Sequence, residues 1–288
     1  MPELPDFTDD APTTNGNGAG PHADEDAPIR LGGMAMRNGL LVHGPTHWAA
    51  AARNGTTGEV DVASGPKPNF GGNLVAKVPL LRGPIRMAEA FAVIPIARRS
   101  LPSARLPFED PRVIAAGVGV TLATNLLRRR NGNSVGGEAV STALGMVPAL
   151  VALSGNELAS YHGVEHKAIA AYEHGSRDPR TAAKEHQRCG SNLIGPMMIF
   201  TVAGQAIMDR LPNTPGPLIR GFASVASLSL AVETFAYAEK HPESPVGLSI
   251  HAAGDGIQRL FATREPNEDQ IEVGIAAMDA ILGAEGVG

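Results

Sequence analysis

Hydrophobic and polar positions divide the chain into regions with different patterns. Residues 1–28 combine Pro, Gly, Asn and Asp with few side chains that a core could bury, which predicts a disordered tail. Residues 29–81 contain short extended runs between turn signals. Residues 82–240 contain long apolar segments, and residues 241–288 return to an amphipathic pattern. We therefore predict four regions with these boundaries.

The extended runs predict a small antiparallel β unit. Residues 31–53 form two runs separated by Gly44-Pro45, and residues 54–58 are a turn signal before a return strand over 59–63. A further strand is predicted over 74–81. His43 and His47 flank the Gly-Pro turn and are interpreted mainly as solvated loop histidines.

The apolar segments decide the predicted fold class. Four segments lack charged residues, over 113–127, 139–156, 190–208 and 221–232. A helix needs roughly 20 apolar residues to cross a bilayer, so the middle two reach this length and the outer two fall short. All four are rich in small residues, which suits close helix packing in lipid and equally suits a buried soluble bundle. We expect a mainly α fold, in which a multi-helix membrane-embedded bundle follows the N-terminal β unit.

The C-terminal region predicts one more helix. Asn267 or Glu268 could cap a helix running over residues 269–282, which should dock on the body of the protein. Its apolar positions follow a helical period: Ile271, Ile275, Met278 and Leu282.

Charge and cysteine content exclude several classes of protein. The chain has 24 Lys and Arg against 29 Asp and Glu, and seven of the acids lie within residues 1–28, which contain no Lys or Arg. The rest is close to neutral, so we expect no nucleic-acid partner. One cysteine excludes an intrachain disulfide and fits a reducing compartment. The N-terminus lacks the pattern of a cleavable signal, so membrane contact should come from internal segments.

The candidate chemistry centres on His162, Glu165 and His166, which stand in the order H-x-x-E-H. Residues four apart lie on one face of a helix, so both histidines could bind one metal ion. Glu165 could then hold or deprotonate a water molecule. The alternative is that the histidines cap helix carbonyls or are bonded inside a core.

Three other residues could complete a metal site. Cys189 and His186 lie about twenty residues after the histidine pair, and a thiolate with imidazoles is a donor set that zinc prefers. Glu233 interrupts the last apolar segment, where an acid is costly and is often paired or functional. Its alternative is an interfacial position near the helix end. We expect a divalent metal, with zinc as the first candidate.

Several blocks together resemble the YqhQ family of bacterial membrane proteins, a group of unknown function that has been predicted to be metal-dependent enzymes. The resemblance runs from Leu31 to Leu282. In its first block, residues 32–39, Met34 and Asn38 differ from the residues that are commoner in the family. The blocks lie at residues 32–39, 44–48, 79–83, 161–167, 188–191 and 258–266. The resemblance implies a multi-spanning membrane protein with a metal site and supplies no reaction.

Two functions from different classes remain open. The first is a metal-dependent hydrolase-type membrane enzyme that uses Glu165 as its base and leaves one metal position open to water. The second is a non-catalytic membrane scaffold or partner-binding protein, with a closed structural metal site or none. A third possibility is a soluble helical protein with histidines in its core. We expect a multi-pass plasma-membrane location with the motif facing the cytoplasm, and membrane lipids, a second copy or another membrane protein as partners.

Overall fold

The computed structural model describes residues 28–72, 78–131, 134–208, 210–211 and 216–287. The strands are β1 (Gly32–Met36), β2 (Gly39–His43), β3 (His47–Arg53) and β4 (Val60–Pro66). The helices are α1 (Arg82–Ser100), α2 (Pro111–Asn131), α3 (Val135–Leu144), α4 (Val147–Ser154), α5 (Asn156–Glu173), α6 (Ile194–Met208), α7 (Pro217–Lys240), α8 (Pro245–Ile257) and α9 (Glu268–Glu285). Single 3-10 turns lie at Pro107–Glu109, Pro179–Thr181 and Gly190–Leu193, and a π-helical turn at Gln258–Ala262. The described chain is mostly helical with a small N-terminal sheet, which confirms this part of the predicted fold class.

The four strands form one antiparallel sheet in the order β1-β2-β3-β4. The run before Gly44 was predicted as one strand but is a hairpin, because Met36 pairs with Gly39 across a two-residue turn. Asn38 in this turn donates hydrogen bonds through its side chain to the carbonyls of Arg53 and Ser103. The turn residues are Arg37 and Asn38, and these hydrogen bonds of Asn38 hold the turn against β3 and the segment after α1.

Both faces of the sheet are buried. On one face, Leu40, Val42 and Ala49 belong to a core shared with α5 and α9. On the other face, Leu41 and Trp48 pack with residues of α1 and of the segment after it. This arrangement explains why β3 reads as a continuous apolar run rather than an alternating one.

Helix α5 lies inside the protein. Thirteen of its residues are buried, and it packs against β1, β2, α9 and the π-helical turn. Gly163 allows a very close approach, since a Cβ atom there would lie 2.2 Å from the carbonyl oxygen of Arg264. The sides of α5 are therefore covered by protein.

The predicted closing helix is present as α9. Asn267 caps it, because its side chain accepts a hydrogen bond from the backbone N–H of Gln270 and the Gln270 side chain accepts one from the N–H of Asn267. This reciprocal arrangement is a capping box. Ile271, Met278 and Leu282 are buried as expected. Docking of α9 on the sheet completes the core around α5.

Two described helical stretches are long and apolar enough to cross a membrane, Gly190–Met208 and Leu218–Lys240. Only 11% and 17% of their most apolar windows are buried within the protein. The expected span over 139–156 is not one continuous helix, because α3 and α4 end at Gly145 and Gly155. The stretch Ala139–Ser154 meets α5 at a bend of 91°, and the two together are apolar enough for one broken span. The segment 221–232 instead belongs to a longer apolar helix.

Two predictions concern the remaining parts of the N-terminal region. Residues 1–27 of the expected tail and residues 73–77 of the expected strand 74–81 lie outside the described residues. Residues 78–81 form a turn rather than the end of a strand. Pro79 explains the difference, because it has no N–H to donate to a sheet.

Candidate metal centre

Helix α5 and the loop before α6 bring three potential metal ligands together. The ligand atoms of His162, His166 and Cys189 all lie within 4.8 Å of one another. His162 and His166 are one helical turn apart, and their rings have centroids 4.3 Å apart. The Sγ atom of Cys189 lies 3.5 Å from Nε2 of His162. The structure thus brings together three of the five residues proposed as ligands from the sequence.

Hydrogen bonds orient both imidazole rings toward the same point. Nδ1 of His162 lies 2.9 Å from the carbonyl oxygen of Ala262, and Nδ1 of His166 lies 2.6 Å from that of Lys184. Because a carbonyl only accepts, each Nδ1 must carry the proton and donate it. Burial, followed by the nearby His162, lowers the pKa of His166 to about 2, so its ring stays neutral. Each Nε2 is then free to bind a metal.

The Nε2 atom of His166 is a buried acceptor with no hydrogen-bond partner among the described residues. A buried polar atom without a partner loses its hydration and gains nothing in return, so it calls for a physical explanation. A cation held with His162 and Cys189 would supply the missing partner. Two imidazole nitrogens and one thiol also match the donor types that zinc and similar divalent ions bind. The cluster therefore fits a metal ion.

Glu165 lies beside this cluster on the same helix. Its Oε2 atom is 4.0 Å from Nε2 of His162. Burial is the largest influence on its carboxyl group and raises its pKa to about 7. A carboxyl group with such a pKa can both accept and release a proton near neutral pH. Glu165 is therefore a buried carboxyl group with a raised pKa beside the cluster.

Gln258 holds the loop that carries Cys189. It is completely buried, and its side-chain oxygen accepts a hydrogen bond from the backbone N–H of His186 at 2.8 Å. Its side-chain nitrogen donates to the carbonyl of His186 and to Oγ of Ser191, both at 3.1 Å. These bonds fix the loop on both sides of Cys189.

His186 and Glu233, the other two proposed ligands, have partners elsewhere. His186 lies near the cluster, with its ring centroid 5.8 Å from that of His166, but its Nε2 atom is 3.1 Å from a carboxylate oxygen of Glu173. Glu233 accepts a hydrogen bond from Nε of Arg82 at 2.8 Å. Neither belongs to the group of ligand atoms that converge among the described residues.

The cluster opens into a cavity of about 520 Å³ between α5 and the sheet. Gly32, Gly33, His43 and Ser191 also line it. His43, interpreted from sequence as a loop histidine, is largely buried at the end of β2 and belongs to this wall. The volume lies in the range of small-molecule sites, roughly 300–1,000 Å³.

Sequence reasoning did not identify Gln258, Gly33 or the carbonyl groups of Ala262 and Lys184 as parts of the site. Gln258 and Ala262 lie in block 258–266, and Gly33 lies in block 32–39 of the resemblance, which was the only signal for them. Their positions depend on how distant segments pack. Backbone carbonyl groups have no sequence signature at all.

Comparison with known proteins finds similarity over most of the chain. Residues 156–284 match a family described as "Protein of unknown function (DUF1385)", and this range contains α5, Cys189 and Gln258. "Uncharacterized protein YqhQ" of Bacillus subtilis (strain 168) is 25% identical over 304 aligned positions, which cover 90% of this chain and 94% of that protein. No solved structure matches the chain significantly. The domain match and the nearly full-length alignment confirm the resemblance read from the sequence.

Proposed function

We propose that this protein is a metal-dependent, hydrolase-type membrane enzyme with its reaction centre at His162, His166 and Cys189. The observation that carries the proposal is the buried Nε2 atom of His166, which faces two other donor groups and has no partner among the described residues. Zinc is the first candidate for the ion because the donors are two imidazoles and a thiol.

The residues around the cluster have defined roles in this proposal. Ala262 and Lys184 accept the Nδ1 protons of the two histidines and thereby direct both Nε2 atoms toward the ion. A bound zinc ion would polarise the substrate and make water more acidic. Glu165 accepts a proton from the attacking water and returns it to the leaving group. Its raised pKa suits both steps, since it can change protonation state near neutral pH.

The arrangement favours an enzyme over a closed structural metal site. A structural zinc ion usually has four protein ligands, whereas a catalytic one has three and an open position. Three donor groups converge among the described residues, and His186, a further candidate from the sequence, is paired with Glu173. The adjoining cavity provides room for a substrate.

The membrane part of the proposal rests on the helices Gly190–Met208 and Leu218–Lys240. Leu218, Phe222 and Ile199 expose 80%, 75% and 67% of their surface. Such side chains are stable in contact with lipid and unfavourable in water. Helix α5 is covered by protein and lies outside these two spans, so the metal cluster is at the edge of the lipid-embedded part. The single cysteine, as a metal ligand, fits the reducing cytoplasmic side.

Metal analysis of the purified full-length protein tests the proposal. We expect about one zinc ion per chain in the wild type and loss of tight binding in His166→Ala. His241→Ala is the matched control, because His241 is an exposed histidine at the end of α7. Substitution with cobalt should give a thiolate-to-metal absorption band that Cys189→Ser removes. Absence of metal from every preparation, including zinc-supplemented ones, would overturn the proposal.

A second measurement separates the enzyme from the scaffold. Azide added to the cobalt-loaded protein should change its visible spectrum if one metal position is open, and leave it unchanged if four protein groups close the site. Glu165→Gln should retain the metal and the azide response but lose hydrolysis of ester, amide and phosphoester substrates presented in vesicles. A metal site that ignores azide would favour the structural alternative.

A further inference from the structure

Two further cavities share lining residues with the cavity at the cluster. The first, of about 730 Å³, is lined by charged residues that include Arg30, Glu173 and Glu239. His186 and Arg188 line both this cavity and the one at the cluster. The second is an apolar groove of about 710 Å³. The space at the cluster therefore shares residues with both a charged cavity and an apolar groove.

The apolar groove lies between α6, which belongs to the proposed membrane part, and α8, which follows it in the chain. Its walls are residues of α6 and α8 together with Thr234 of α7 and Met146. Pro196, Ile250 and Phe200 are among its apolar side chains. Ser191, in the turn that follows Cys189, lines both this groove and the cavity at the cluster.

The surroundings of the groove indicate what can enter it. Ile199 of α6 and Leu248 of α8 are 67% and 59% exposed, and Val246, which lines the groove, is 41% exposed. Ile199 belongs to Gly190–Met208, which is long and apolar enough to span a bilayer, so this side of the groove faces hydrocarbon rather than water. A hydrocarbon chain can pass from the bilayer into the groove without crossing water, whereas a polar peptide segment would lose its hydration there.

We propose that the substrate is an amphipathic membrane lipid, with its hydrocarbon chain in the groove between α6 and α8 and its polar group at the cluster. This inference rests on the proposed hydrolase function and specifies its substrate class. Hydrolysis would add the hydroxyl of water to one side of the cleaved bond and the proton to the other. The polar product would leave through the cavity beside His186 and Arg188, and the product that keeps the chain would return to the bilayer.

A photoactivatable lipid tests where the chain lies. The full-length protein is placed in phosphatidylglycerol vesicles that contain a phospholipid with a diazirine near the end of one chain, and labelled peptides are identified after illumination. Ile250 is 8% exposed and lines the groove, so label on Ile250 or its immediate neighbours in α8 requires a chain inside the groove. Label on Leu218 or Phe222, which are exposed, comes from lipid that surrounds the protein.

Two glycine variants provide a matched pair. A Cβ atom at Gly195, which lines the groove, or at Gly119, which is exposed on α2, would meet nothing within 4 Å. Gly195→Phe should therefore fold and partly fill the groove. We expect about a tenfold decrease of groove labelling, the change expected when a chain loses the burial of two methylene groups. Gly119→Phe should leave groove labelling unchanged.

Zinc content measured on the same samples distinguishes failure of the hydrolase proposal from failure of the lipid-substrate proposal. Groove labelling that depends on Gly195 in a protein without zinc would support the lipid site and overturn the hydrolase. Zinc binding with label only at Leu218, Phe222 and other outer positions would overturn the lipid substrate and leave the metal centre intact. Equal labelling of the groove in Gly195→Phe and the wild type would also overturn the lipid site.

Discussion

Gly33 of β1 lies so close to Glu165 of α5 that a Cβ atom at position 33 would be 2.7 Å from the Oε1 atom of Glu165. The adjacent Gly32 has the same relationship with His43, whose ring would be 2.9 Å from an added Cβ. The first strand therefore approaches the cluster with backbone only. This approach buries the Glu165 carboxyl group, and burial is the main cause of its raised pKa.

Gly33→Ala should move the Glu165 side chain or the strand. We expect the free energy of unfolding in detergent to fall by about 1–3 kcal/mol, as for other overpacked cores. Zinc binding should persist, because Gly33 contributes no ligand. The rate of hydrolysis should decrease, because the carboxyl group of Glu165 is displaced. Gly119→Ala is the control, since the added Cβ has free space and alanine favours a helix by up to ~1 kcal/mol. Equal effects of both variants would contradict the close contact.

Glu233→Gln tests whether the acid of α7 takes part in metal binding. Glu233 forms an ion pair with Arg82, and the two side chains are 23% and 39% exposed. We expect unchanged zinc content and a loss of about 1 kcal/mol or less in the free energy of unfolding. Arg82→Gln and the double variant complete the cycle and measure the coupling of the pair. Loss of zinc in Glu233→Gln would show that the residue is a ligand after all.

His43 should make the stability depend on pH. Burial, aided by the charge of Lys67, lowers the pKa of His43 to about 4. Between pH 4 and 6.5 the unfolded chain binds a proton that the folded chain does not, so the free energy of unfolding decreases as the pH falls through this window. The total contribution is ~3 kcal/mol.

Denaturant titrations of wild type and His43→Gln at several pH values measure this contribution. The difference in the free energy of unfolding between the two proteins should change through the window from pH 6.5 to 4. The exposed His241 serves as control, and His241→Gln should follow the wild type. A constant difference between wild type and His43→Gln would show that His43 is not responsible.

Membrane association should resist alkaline carbonate. The apolar windows of Gly190–Met208 and Leu218–Lys240 are mostly uncovered by the rest of the protein, which favours integral insertion. Membranes from expressing cells are washed with carbonate, and the protein should remain in the pellet until detergent is added. Release into the wash would exclude integral insertion and would also remove the basis for a lipid-filled groove.

The histidine pair and the cysteine could be found from the sequence because their chemistry is local. His162, Glu165 and His166 lie within one turn and a half of a helix, and spacing alone indicates which side chains share a face. Cys189 followed from its chemistry as the single thiol of the chain. The choice of a fourth group was beyond such reasoning, since His186 and Glu233 have equally suitable donor atoms and differ only in the partners that folding gives them.

The apolar segments could also be predicted only in part from the sequence. Hydrophobic length identified 190–208 as a possible span, because bilayer thickness is a fixed requirement. It did not show that Gly145 and Gly155 break the segment before α5, since glycine is compatible with both a continuous helix and a helix end. It also did not show that Glu233 is paired with Arg82, a residue 151 positions earlier, within a longer apolar helix.

From the residues alone one can predict the mainly helical class with a small sheet, the donor atoms and the family resemblance, because these depend on composition and on short-range spacing. Only the folded chain shows which donors meet, that Gly33 lies against Glu165, and that the cavity at the cluster shares residues with an apolar groove. These features arise from contacts between segments about a hundred residues apart, such as Ala262 with His162. Only the packing of the sheet, α5 and α9 into one core fixes those distances.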